Sequence, residues 1–137
     1  MIRALGASVV ISAGLGLLAT PSWAFEVGSH YDCPSVADGP VVRIWVGQVD
    51  SAASAEVVSV ALWPIDAEDG PSVGHSPFAA DALSACSLIA PPGTPLDVDR
   101  FREGYDLWWA AFQNNEAGMW SVAPSEAYGI MLGVLGQ

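Results

Sequence analysis

The stretch VVRIWVGQV (residues 41–49), followed after the polar DSAASA (50–55) by EVVSVALW (56–63), decides the fold of this chain. β-Branched and aromatic residues dominate both runs and alternate with period two. Val42, Ile44 and Val46 lie against Val41, Arg43 and Trp45; Val58, Val60 and Leu62 lie against Val57, Ser59, Ala61 and Trp63. Such side chains suit a pleated strand, whose successive residues point to opposite faces. Both faces of the first run are largely apolar, which predicts a central strand covered on each side. A short polar connection between two strands predicts an antiparallel hairpin.

Toward the C-terminus, Pro64 closes the second strand, and Asp66, Glu68, Asp69 and Gly70 make an acidic turn-rich loop. Ser76 as N-cap and Pro77 at the first helical position predict an amphipathic helix over 77–88, carrying Phe78, Ala82 and Cys86, with His75 in the loop just before it. Residues 91–95 (PPGTP) form a rigid linker. Val98, Phe101, Tyr105, Trp108 and Phe112 then recur at helical spacing behind a cap at Asp97 or Asp99, with Trp109 widening the stripe. Asn114, Asn115 and Gly118 end that helix, 119–122 is strand-like, and Pro124-Ser125-Glu126 opens a last helix running to 135. Gly129 and Gly133 each weaken it by about 1 kcal/mol relative to alanine, and their spacing points to close packing against a neighbouring element.

Toward the N-terminus, 25–40 is polar and punctuated by Gly28, Pro34, Gly39 and Pro40, an irregular entry segment. Ahead of it, Arg3, the apolar run 4–19, Pro21 and Ser22-Trp23-Ala24 follow one another as the parts of a bacterial-type export signal. Cleavage is expected between Ala24 and Phe25. The apolar run is too short for a membrane span, and a proline follows it. The expected organisation is a cleavable signal peptide over 1–24 and one acidic α+β domain over 25–137. That domain is a hairpin or small antiparallel sheet packed against two or three helices, with one disulfide.

The export signal governs the cysteines. Cys33 and Cys86 both lie in the exported region, and an oxidising compartment makes an even pair a disulfide rather than a redox or metal site. The chain has 4 basic and 15 acidic side chains, a net charge of −11, and no lysine. Losing Arg3 with the signal makes it one unit more negative. The usage, rich in Ala, Gly, Pro and Asp, is that of a GC-rich genome with a solubilising acidic exterior. Such a surface repels phosphate backbones and anionic lipids, which argues against nucleic acid and membrane surfaces as partners.

Catalytic and cofactor motifs are not found. His75 is the candidate general base of a small hydrolase or lyase, and it would need a pocket and a carboxylate in hydrogen-bonding reach. Asp66, Glu68 and Asp69 are candidate calcium ligands, although the spacing of a calcium loop is not matched. Trp63, Trp108 and Trp109 are the candidate binding residues. Two adjacent tryptophans cannot both point squarely inward on one narrow helical stripe, so one is expected to be partly exposed. The leading expectation is a periplasmic or secreted non-enzymatic protein that binds another envelope component through an aromatic patch. An intact-mass measurement under non-reducing conditions tests the processing: the expected mass is that of residues 25–137 less two hydrogens.

Overall fold

The computed structural model describes residues 25–52, 55–66, 70–90 and 97–135. The expected signal peptide and cleavage point at Ala24, the linker 91–95, Glu68 and Asp69 lie outside the described residues. Five strands, β1 (His30–Cys33), β2 (Val42–Ala52), β3 (Ala55–Pro64), β4 (Val73–Ala79) and β5 (Ser87–Ile89), form one antiparallel sheet in the order β4-β3-β2-β1-β5. Two helices, α1 (Val98–Gln113) and α2 (Pro124–Leu135), complete a small α+β domain. No described helix is long and apolar enough to cross a membrane.

The β2–β3 hairpin lies where the alternation places it, and β2 is the middle strand. Both strands run further into the polar connection than expected, to Ala52 and from Ala55. One face carries Val42, Ile44, Val46, Val58, Val60 and Leu62, all fully buried with Phe78, Leu83 and Tyr128. Tyr128 brings α2 onto this face, and its hydroxyl donates to the Pro71 carbonyl at 2.7 Å. The other face carries Trp45, Ala61 and Trp63 and receives α1.

The segment 77–88 is not a helix. Val73–Ala79 extends the sheet as β4, a short 3₁₀ turn spans Ala80–Leu83, and Ser87–Ile89 is β5. The apparent helical period rests mainly on alanines, whose burial stabilises little. Pairing with β3 satisfies a whole row of backbone groups and buries Phe78 opposite Val58. Pro77 is tolerated because β4 is an edge strand. His75 is accordingly a strand residue, not a loop residue. Residues 30–33 are likewise not irregular: they form β1 between β2 and β5.

Cys33 and Cys86 are joined in a disulfide. Asp32 pairs with Ser87, so the bridge extends the β1–β5 ladder by one cross-strand position. A disulfide is consistent with an oxidising compartment.

The link between β1 and β2 contains a tight turn with positive φ at Ala37 and Asp38 and a Gly39 N–H to Val36 carbonyl bond of 2.9 Å. Ser125, at the start of α2, holds it by accepting from the Val36 N–H at 3.0 Å. In α1, Asp97 rather than Asp99 is the cap, accepting from the Arg100 N–H at 3.0 Å. Residues 119–122 meet the sheet through a parallel bridge between Trp120 and Phe78. Gly129 and Gly133 do not mark close packing, since a Cβ at either would meet nothing within 4 Å.

Removing the bridge with Cys33→Ser plus Cys86→Ser frees a loop spanning a sequence separation of 53 in the unfolded chain. Denaturant titration should show a loss of roughly 2–4 kcal/mol; an unchanged midpoint would show that β5 is held by pairing alone.

Candidate aromatic binding face

Alternation along the strands sends a second set of side chains to the α1 side of the sheet: His75 from β4, Ser59, Ala61 and Trp63 from β3, Trp45 from β2 and His30 from β1. α1 lies over β4 and β3. Two glycines make the close approach possible. A Cβ on Gly104 would come within 2.8 Å of the His75 Cβ, and one on Gly47 within 2.3 Å of the Phe101 ring. Gly47 also sits where the β2–β3 register shifts, between Val46 and Gln48. Phe101 therefore reaches across to β2, edge-on to Trp45 at 5.2 Å between centroids.

From Phe101 the aromatic contacts run along α1. Phe101 stacks on Tyr105, Tyr105 on Trp109 at 6.1 Å and 10°, and Trp108 on Phe112 at 4.8 Å. The Arg102 guanidinium lies 5.1 Å from the Tyr105 centroid, a cation–π contact that covers the outer side of the row. The Tyr105 hydroxyl donates to Asp50 Oδ2 at 2.8 Å, pinning the helix to the end of β2. Burial, together with this bond to a carboxylate, pushes its pKa up to about 12.

The three candidate binding residues, Trp63, Trp108 and Trp109, all join this cluster together with Trp45, and all four rings are half-buried. Trp108 Nε1 donates to the Gly118 carbonyl at 2.8 Å, so its polar atom is already used. Trp63 lies away from the helix row, edge-on to His30 at 6.3 Å. Neither member of the Trp108-Trp109 pair points fully outward; the large apolar side chain that does so on α1 is their neighbour Leu107, 73% exposed.

His75 sits in an aromatic box, its ring 5.5 Å from Phe101, 5.8 Å from Tyr105 and 5.6 Å from Trp108. Its Nε2 is buried without a hydrogen-bond partner, as is the Ser59 hydroxyl on the same face. The two are therefore not bonded to each other, and no described carboxylate forms an ion pair with His75. Desolvation holds its pKa down to about 4, so the ring is neutral at pH 7 and a poor proton acceptor. A nucleophile–base pair is not assembled here.

His30 is 3% exposed with both ring nitrogens unpartnered. Desolvation first, then the Arg43 charge, lower its pKa, and Asp32 opposes them. Beside it, Arg43 and Asp32 form a bidentate pair, Nε to Oδ1 at 2.7 Å and Nη2 to Oδ2 at 3.1 Å. Of the candidate calcium ligands only Asp66 is described, and it is exposed. Among the described residues no three His, Cys, Asp or Glu side chains are grouped to hold a metal.

Sequence reasoning did not assign Gly47 and Gly104 a role, though an isolated glycine inside a strand or helix pattern is itself a signal of close approach.

The lowered pKa of His75 has a definite sign in stability. Above the ordinary value of 6.5 both folded and unfolded chains carry neutral imidazole. Between 6.5 and about 4 only the unfolded chain takes up the proton, so stability falls as pH falls through that window and levels off below it. The full shift corresponds to at most about 3 kcal/mol, and the part-exposed setting reduces this to about 1–2 kcal/mol. Urea titrations at about pH 7 and pH 4.5 should show a smaller acid loss in His75→Phe than in the wild type; equal losses would mean His75 is not held neutral.

Comparison of the chain with protein-family models, with curated proteins and with solved structures finds no match.

Proposed function

We propose that the protein is exported to the periplasm or beyond and acts there as a non-enzymatic binding protein of the cell envelope, using the aromatic face beside α1. The observation that carries this reading is the contrast between the two sides of the sheet. One side is closed by fully buried aliphatic residues, Phe78 and Tyr128, whereas the other presents Trp45 and Trp109 half-buried around Phe101 and Tyr105, with Trp63 half-buried further along the sheet beside His30. Aromatic side chains with little conformational freedom and large contact area are the common anchors of binding surfaces. Asp99, Glu103 and Asp106 are exposed on α1 around this row. The complementary partner is therefore an apolar or aromatic surface edged with basic residues.

The disulfide fits an oxidising destination. The alternative of a small hydrolase or lyase using His75 draws no support from a box of aromatic rings without an acid–base partner. The calcium reading at Asp66, Glu68 and Asp69 draws none from an exposed Asp66.

Immobilised protein and a Trp63→Ala plus Trp109→Ala variant, both checked for folding by circular dichroism, should be exposed to envelope extract. The reading expects a component retained by the wild type and lost by the variant. Retention of the same components by both, or of none by either, would end it.

A further inference from the structure

Along the first half of β4 runs a second concavity, whose chemistry differs from that of the aromatic face. It is a cavity of about 440 Å³ bounded by Val73 and Trp120, by Ile130, Met131 and Leu132 of α2, and by Arg100 of α1. Its walls are almost wholly apolar apart from Arg100 and Ser72. Its volume is that of a small-molecule site. The construction is specific. Tyr128 anchors α2 to Pro71, and Gly70, at φ +147°, admits the Tyr128 hydroxyl where a Cβ would come within 2.5 Å. Trp120 is fixed by two backbone bonds of 2.9 Å to β4, at Pro77 and Ala79, and forms the end wall.

The three described arginines are differently engaged. Arg43 is held by Asp32, and Arg102 lies over the Phe101 and Tyr105 rings. Arg100 makes only a long 3.5 Å contact to the Ser72 hydroxyl and has no carboxylate partner among the described residues. In so acidic a chain, a guanidinium that has drawn none of the described carboxylates remains able to take an anion from outside. Its planar fork matches a carboxylate, and the apolar cavity beside it matches a hydrocarbon chain. Gly74 lets Arg100 lie along β4, since a Cβ there would come within 2.9 Å of its side chain.

We propose that this cavity binds a free aliphatic carboxylate of medium chain length, its head group on Arg100 and its chain against Val73, Ile130 and Leu132. The site is independent of the aromatic face, and the test keeps the two apart. Calorimetric titration of the disulfide-bonded protein with decanoate, below its micellar concentration, should give saturable binding, with decanol held at least about tenfold more weakly. Arg100→Gln should weaken decanoate about tenfold or more and bring it level with decanol. Ile130→Glu, at a position 44% exposed and safe for folding, should abolish binding, and Trp63→Ala should leave it unchanged.

Absence of decanoate binding would overturn the assignment. So would a loss on Arg100→Gln of less than about twofold, or a loss on Trp63→Ala equal to that on Ile130→Glu. An apolar hexapeptide with a free C-terminus that bound where decanoate did not would also overturn it, since the open edge of β4 would then be receiving a strand.

Discussion

The pairing of β2 with β3, from Val42 opposite Pro64 to Ala52 opposite Ala55, buries apolar side chains on both sides of one ladder, and neither side can be left to water. That constraint calls for two covers. α2, with Phe78 and the 3₁₀ turn, supplies one, and α1 supplies the other. The covers are unequal. Beneath α2 the aliphatic side chains of β2 and β3 are fully buried, whereas beneath α1 large rings meet at angles and leave edges exposed. The partly exposed tryptophans follow from this: large rings on a narrow helix over a sheet cannot all be turned inward.

Positive charge is scarce, and each described arginine has a distinct setting. Arg43 makes a bidentate pair with Asp32, Arg102 caps aromatic rings, and Arg100 stands at the mouth of an apolar cavity. Burial is the main cause holding both histidines toward neutrality, joined at His30 by the nearby Arg43 charge. A histidine among other functional side-chain types is therefore no sign of acid–base work by itself. Here the aromatic box accounts for His75 as packing, with a penalty that emerges only in acid.

The sheet's centre and both α-helices were legible in the sequence because their signals are strong and local: alternation over 41–63, a sustained stripe from Phe101 to Phe112, and the Pro124-Ser125-Glu126 start of α2. The cysteine pairing was legible from compartment logic. What could not be read was non-local. Residues 30–33 and 73–79 become strands because they pair with strands elsewhere along the chain, and residues 77–88 carry helical capping residues that tertiary pairing overrides. The candidate tryptophans were legible as types, but their arrangement depends on Gly47 and Gly104, whose importance shows only when the helix is set on the sheet. Arg100 was unreadable as a binding group because its surroundings come from α2 and β4 together.

The disulfide and the Trp120 bridge bear on how such a chain survives at high concentration. An antiparallel sheet has two rims of unsatisfied backbone, and each is a template on which another molecule can grow. At one rim stands β5, only three residues long and bound covalently beside β1, too short to nucleate a longer assembly. At the other, Trp120 occupies the C-terminal half of β4, and Pro77 interrupts the donor row. The same small features that finish the fold thus also limit edge-to-edge joining of neighbouring copies, and reduction of one sulfur–sulfur bond would unguard one rim while the other keeps Trp120 over its C-terminal half.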